Sequence, residues 1–186
     1  MYLIAAQAVG IIGLLFAIIS FQQNTSKRIL LFQSLASFSF SIHFFMLGAY
    51  TGMLMNIIGV GRNLFFYKRK GRWANSRLWL YIFIIGYIAA GAVTYKDIYS
   101  IMPTTGMVLS TIALWLKNPK HIRHVMLPSS PLWFAYNLVN MSVAGMLTEI
   151  FASTSLIIAM VRFDYNKCFQ HFLVRDRILF KKGKSK

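Results

Sequence analysis

The sequence predicts an all-α membrane protein in which seven transmembrane helices cross the bilayer. Hydrophobic residues make up 57% of the 186-residue chain and charged residues only 13%, whereas soluble domains have roughly 25% charged residues. The mean hydropathy is +0.57, and the apolar residues form runs close to the about 20 residues that a membrane-spanning helix needs. The basic residues are concentrated between these runs, as expected for a polytopic membrane protein.

Seven apolar segments are the predicted membrane spans. The first covers residues 2–21 and has no basic residue before it, so it is interpreted as a retained span and not as a secretory signal peptide. Hydrophobic periodicity and the polar breaks between segments place the other six. They cover residues 30–48, 50–67, 78–95, 99–116, 129–144 and 146–162.

The distribution of basic residues predicts an N-terminus outside and a C-terminus in the cytoplasm. With this orientation, 18 of the 20 Lys and Arg residues lie on the cytoplasmic side, where such residues are normally in excess. The two exceptions are Lys96, in an outer loop, and Arg62, inside the third span. All four tryptophans fall at predicted cytoplasmic ends of spans, where their amphipathic rings favour the membrane interface.

An internal repeat relates the two halves of the chain at a constant offset of 93 residues. Residues 5–69 align with residues 98–162 without a gap, and Gly52-Met53-Leu54 recurs as Gly145-Met146-Leu147. Each half then contains three spans, and the fourth span links them. Because three spans invert the chain and the fourth restores its direction, we expect two units of the same orientation, related by an axis along the membrane normal.

Four parts of the chain follow from the repeat. Residues 1–69 form the first three-helix repeat, residues 70–97 a basic loop and the linker helix, and residues 98–163 the second repeat. Residues 164–186 form a basic cytoplasmic tail, which we expect to lie on anionic lipid headgroups and not to bind nucleic acid. The tail holds Cys168, the one cysteine, so no intrachain disulfide can form. The pattern leaves open whether the chain forms a homo-oligomer.

This arrangement of three, one and three spans resembles the SWEET sugar facilitators and the wider PQ-loop superfamily. In that superfamily the first span ends in a Pro-Gln turn followed by a basic residue; here Gln22-Gln23 precede Lys27-Arg28 without a proline. SWEET third spans carry an N-x-x-G motif, which fits Asn56-Ile57-Ile58-Gly59, whereas the equivalent seventh-span site is Glu149-Ile150-Phe151-Ala152.

Over nearly its full length, the chain is similar to the YgjV-like family of bacterial inner-membrane proteins. That resemblance implies a multi-pass protein of the bacterial inner membrane, and with the predicted orientation its N-terminus is periplasmic. It carries no established activity over to this chain, so the SWEET-like architecture implies solute transport by analogy of fold alone.

Polar residues inside the spans are the candidate solute-binding residues. Asn56 and Glu149 occupy equivalent positions in the repeat, and an intramembrane carboxylate by default marks a functional site. Packing between helices is the alternative role for Asn56 and for Asn63, which lies on the same helical face. For Glu149 the alternative is that its side chain reaches water at the outer end of the span.

Four further residues extend this candidate site: Arg62, His43, Tyr136 and Asn137. Arg62 either snorkels to the inner headgroups or presents a cation to the interior of the bundle, where it can bind an anionic solute. His43 aligns with Tyr136 in the repeat, and Asn137 follows, so these residues are expected to ring the upper part of a cavity. A structural hydrogen-bonded histidine is the alternative for His43.

The function expected from these features is that of a SWEET-like facilitator or carrier. A small polar solute would cross an axial cavity between the two repeats and contact Asn56 and Glu149. No enzyme is predicted, because the four acidic residues form no catalytic pair and no nucleophile has a suitable base. No cofactor or metal site is predicted either. The alternative is a non-transporting receptor or assembly protein with the same fold.

Overall fold

The computed structural model describes residues 2–23, 25–68, 76–116, 119–161 and 164, and this part of the chain is all-helical. A short 3-10 helix, Ile98–Ser100, leads directly into the fifth of its eight α-helices. The α-helices are α1 (Tyr2–Phe21), α2 (Ser26–Met46), α3 (Tyr50–Lys68), α4 (Leu78–Val93), α5 (Ile101–Trp115), α6 (Pro119–Met126), α7 (Ser129–Val139) and α8 (Val143–Met160). The predicted basic tail lies outside the described residues, apart from Asp164.

Within the described ranges, four segments are long and apolar enough to cross a bilayer. They lie in α1, α2, α8 and the continuous stretch Ile98–Trp115, and α4 is an apolar helix of 16 residues. Helix α3 is long enough, but Asn56, Arg62 and Asn63 lower its hydropathy. Helix α7 has only 11 residues. A helical protein with several apolar spans is therefore confirmed, while seven crossings and their direction stay predictions.

Helix bounds recur at the offset of 93 residues. Helix α2 begins at Ser26 and α6 at Pro119; α2 ends at Met46 and α7 at Val139. Helices α3 and α8 begin at Tyr50 and Val143, again 93 residues apart. Helices α6 and α7 together therefore occupy the stretch that α2 occupies in the first half.

The second half differs from the prediction before and within the sixth span. Residues 119–126 were expected to be a loop and form α6, and the span expected at 129–144 is helical only as α7, because α8 already begins at Val143. Pro128 explains the break, since proline has no backbone N–H with which to extend α6. Its φ of −66° suits the start of a new helix.

The α2–α3 and α7–α8 turns share an unusual backbone conformation. Gly48 (φ 70°) and Met141 (φ 54°) are the two residues with positive φ in the described part of the chain, and they are 93 residues apart. Glycine adopts this left-handed conformation readily, whereas other residues lose roughly 1–2 kcal/mol there. Gln7 of α1 supports the second turn, because its Nε2 donates to the Met141 carbonyl oxygen at 2.7 Å.

Packing joins the two halves around a shared centre. Helix α1 packs against α8 and α3 against α5, while α4 lies beside α3 and α5. Buried aromatic rings connect α2 to α7: the centroid of Phe44 lies 6.0 Å from that of Trp133 and 5.8 Å from that of Tyr136. This aromatic contact lies toward the end of the bundle formed by the α2–α3 and α7–α8 turns.

Candidate functional site

A cavity of about 660 Å³ lies between the helices. Every described α-helix except α4 contributes to its walls, so residues from both halves of the chain face the same space. Its volume falls within the roughly 300–1,000 Å³ typical of sites for small molecules. Five residues predicted for the site line this cavity: Asn56, Arg62, Asn63, Asn137 and Glu149.

Asn56 and Glu149 line the cavity from different helices, α3 and α8. Asn56 is buried, and its Nδ2 donates to the Gly52 carbonyl oxygen one turn earlier at 2.9 Å. The Glu149 carboxyl group interacts with the Ser130 hydroxyl of α7. No Lys or Arg of the described ranges lies within ion-pair distance of Glu149. Glu149 therefore faces the cavity with a hydroxyl neighbour and without a counter-charge.

Arg62 points into the protein, with 6% of its surface exposed. Its Nη1 donates to Thr111 Oγ1 of α5 at 2.9 Å, and its Nε and Nη2 donate to Asn63 Oδ1 at 3.3 and 3.2 Å. The guanidinium carbon also lies 5.9 Å from the centre of the Tyr87 ring of α4. Of the two alternatives for Arg62, these contacts fit a cation that faces the interior of the bundle. A snorkelling side chain would extend to the headgroups instead.

Asn137 is a buried amide on α7 with an unsatisfied acceptor. Its side chain is 2% exposed, and within the described residues no donor reaches its Oδ1. The amide packs directly on Gly145 of α8, where an added Cβ would lie 2.2 Å from Oδ1. A side chain at position 145 would therefore collide with the Asn137 amide, which also lines the cavity.

His43 and Tyr136 lie outside the cavity walls and hold one end of the bundle together. The ring nitrogens of His43 lie 2.7 Å from the Ala6 carbonyl oxygen and 2.7 Å from Ser142 Oγ. Tyr136 Oη accepts a hydrogen bond from the Gly52 backbone N–H at 2.9 Å. Each residue thus contacts the opposite half, at the beginning of α8 and of α3 respectively. Neither side chain is among those that line the cavity, and their place around a solute stays a prediction.

The sequence pattern did not predict two residues whose hydroxyl groups hold candidate site residues in place. Thr111 orients Arg62, and Ser142 bonds His43, yet both look like ordinary small packing residues in an apolar sequence. No sequence signal distinguishes them, because their partners lie 49 and 99 positions away. Among the described residues, no three His, Cys, Asp or Glu side chains cluster as a metal site requires.

Comparison with known proteins identifies a family and a named relative. The family model Imp-YgjV, described as a bacterial inner membrane protein, matches residues 4–167. The inner membrane protein YgjV of Escherichia coli strain K12 is 28% identical over 144 residues, which are 77% of this chain and 76% of that protein. No solved structure significantly matches the chain.

Proposed function

The chain belongs to the Imp-YgjV family of bacterial inner membrane proteins, and from this premise we propose that it is a carrier or facilitator of a small polar solute. The observation that carries the proposal is the cavity of about 660 Å³, whose walls hold Asn56 and Glu149. Ionisable and amide groups inside a membrane bundle are costly, and they commonly mark the path of a substrate or ion.

The proposed architecture has two parallel units, α1–α3 and α5–α8, with α4 as the linker. Four features support it: the helix bounds that recur after 93 residues, the equivalent turns at Gly48 and Met141, and the contacts α1–α8 and α3–α5. A two-fold axis along the membrane normal would exchange these last two contacts. Solute transport would then follow from rocking of one unit against the other around the central site.

The cavity extends toward one end of the bundle in the described conformation. Its walls include Ser20 near the end of α1, Ile29 near the beginning of α2 and Leu114 near the end of α5. The opposite end is held by the His43–Ser142 and Tyr136–Gly52 hydrogen bonds. With the N-terminus periplasmic, as the basic residues predict, this conformation faces the cytoplasm, and both hydrogen bonds must break before the cavity faces outward.

Uptake assays in proteoliposomes test this function. Radiolabelled sugars, polyols, amino acids and organic acids are presented to the wild-type protein and to Asn56→Leu and Glu149→Gln. We expect protein-dependent flux for one class, reduced at least 10-fold in both variants. Thr154→Val, on the exposed face of α8, is the matched control and should leave flux unchanged. If no class gives protein-dependent flux, transport is wrong and the non-transporting receptor or assembly role replaces it.

A further inference from the structure

Arg62 and Glu149 both line the cavity, and neither has an oppositely charged partner in the part of the chain that the structure describes. The one ion pair found there joins Arg123 to Asp164, away from Arg62 and Glu149. A charge removed from bulk water is stabilised only when a counter-charge or several hydrogen bonds replace its hydration. We therefore expect a bound solute to supply a negatively charged group to Arg62 and a positively charged group to Glu149.

Arg62 offers a preorganised site for an anionic group. Its three hydrogen bonds to Asn63 and Thr111 use Nε, one N–H of Nη1 and one N–H of Nη2. One N–H therefore remains on each terminal nitrogen, without a partner in the described residues. A carboxylate accepts two hydrogen bonds from a guanidinium in this manner, and the fixed side chain loses little entropy when it binds.

Two residues with hydrogen-bond acceptors line the cavity from α7 and α8. Glu149 follows Gly145 by four residues, so both lie on one face of α8, and Asn137 Oδ1 packs against Gly145. Glu149 therefore lies about one helical turn beyond the glycine on which the unsatisfied amide oxygen packs. An ammonium group has three N–H donors and no acceptor, which suits a carboxylate and an amide oxygen together.

With the two repeats related by the proposed two-fold axis, the two sets of groups are separated along the bundle. Arg62 follows Asn56 by six residues, which is about 9 Å at the rise of an α-helix, and Asn56 is the repeat equivalent of Glu149. A neutral polyol would bring a counter-charge to neither side chain, and a simple anion would bring one only to Arg62.

We infer that the cavity binds a zwitterionic solute of the amino-acid class. Its carboxylate pairs with Arg62, and its ammonium group contacts Glu149 and, once the Asn137 side chain turns away from Gly145, Asn137 Oδ1. The inference rests on the proposed function, because it names the class of solute for the same cavity.

Calorimetric binding to the full-length protein in lipid nanodiscs tests the inference. The probes are glycine, 4-aminobutyrate and 6-aminohexanoate, with butylamine, butyrate and glucose as comparison compounds. We expect at least one amino acid to bind 10-fold or more tightly than every comparison compound. Arg62→Gln should remove the advantage of 4-aminobutyrate over butylamine, and Glu149→Gln its advantage over butyrate. Arg28→Gln, which removes the same charge from an exposed position, should bind like the wild type.

The possible results distinguish failure of the zwitterion site from failure of the transport proposal. Charge-dependent binding without flux in liposomes supports the zwitterion site and overturns transport. Flux of a neutral solute that Arg62→Gln leaves intact supports transport and overturns the zwitterion site, as does the absence of binding by any amino acid. If Arg62→Gln does not fold, Arg62→Lys replaces it. That variant keeps the charge without the paired N–H groups, so we expect about 10-fold weaker amino-acid binding; unchanged affinity overturns the inference.

Discussion

His43 Nε2 lies 2.7 Å from the hydroxyl oxygen of Ser142, and this contact connects α2 to the residue just before α8. His43 Nδ1 lies 2.7 Å from the Ala6 carbonyl oxygen. Because a carbonyl only accepts hydrogen bonds, Nδ1 carries a proton, and in the neutral ring Nε2 accepts the hydrogen of the Ser142 hydroxyl. Ser142 Oγ in turn accepts from the Gly145 backbone N–H at 3.2 Å, which caps α8.

Ser142→Ala should destabilise the protein by about 1–2 kcal/mol. The substitution leaves the buried imidazole nitrogen without a hydrogen bond and removes the cap of α8. Unfolding of the purified protein by titration with a denaturing detergent measures the change. Thr105→Val provides the control, because that exposed hydroxyl bonds only within α5 and its loss should cost less than about 0.5 kcal/mol. Equal effects of the two substitutions would contradict a cross-unit role for Ser142.

Gly145→Ala should weaken both stability and solute binding. The new Cβ would lie 2.2 Å from Asn137 Oδ1 and 2.5 Å from Ser142 Oγ, so α8 or the Asn137 side chain must move. Overpacking of this kind costs about 1–3 kcal/mol. Gly61→Ala on α3 is the control, since nothing lies within 4 Å of its added Cβ. Detergent unfolding and amino-acid binding check the two variants side by side, and normal binding by Gly145→Ala would exclude Asn137 from the site.

Met141→Gly should raise stability by about 0.5–1 kcal/mol. Methionine holds a positive φ of 54° there, and glycine removes that backbone strain, although it also makes the unfolded chain more flexible. The reverse substitution at the equivalent turn, Gly48→Met, should destabilise, and no neighbouring atom lies within 4 Å to complicate its effect. The midpoint of detergent unfolding reports both. A stabilising Gly48→Met would show that the two turns do not share this strain.

Hydropathy predicted the first helices well because their ends coincide with changes in local polarity. Helix α1 covers residues 2–21 as predicted, and α3 begins at Tyr50 as predicted, immediately after the glycine-containing turn. Asn56 and Glu149 could be predicted for the same reason: polar residues stand out in an apolar run, and the repeat relates them. The prediction that they line a shared cavity fits the structure's cavity walls.

Other features depend on tertiary contacts that no local pattern encodes. The basic residues of α6 suggested a loop, although Lys120 and Arg123 are compatible with a helix at the membrane surface. Whether a polar group faces a solute or a protein partner is decided by distances of a few ångströms. His43 and Tyr136 have partners in the opposite half of the chain, whereas Asn137 Oδ1 has none among the described residues.

The orientation of the chain can be tested with its native cysteine. Cys168 lies outside the described residues, in the tail that the basic residues place in the cytoplasm. A membrane-impermeant maleimide should label it in inverted inner-membrane vesicles and not in intact spheroplasts. Tyr95→Cys in a Cys168→Ser background should show the opposite pattern, because residue 95 is at the predicted outer end of the fourth span. Labelling of Cys168 in intact spheroplasts would reverse the topology or change the number of crossings.

Asp164→Asn should lower the melting temperature at neutral pH and have a smaller effect in acid. Arg123 of α6 donates from Nε to Asp164 Oδ2 at 3.0 Å and from Nη2 to Oδ1. These hydrogen bonds hold the pKa of Asp164 below its ordinary value of about 3.9. The stabilisation is therefore complete above that value and is lost as the pH falls through the lower folded-state pKa. Thermal unfolding from about pH 7 to about pH 3 measures the difference between the wild type and Asp164→Asn.

Arg123→Gln should lower the melting temperature by a similar amount. The double variant should melt at nearly the same temperature as either single variant, because both changes remove the same interaction. Additive effects would show that the two side chains act independently.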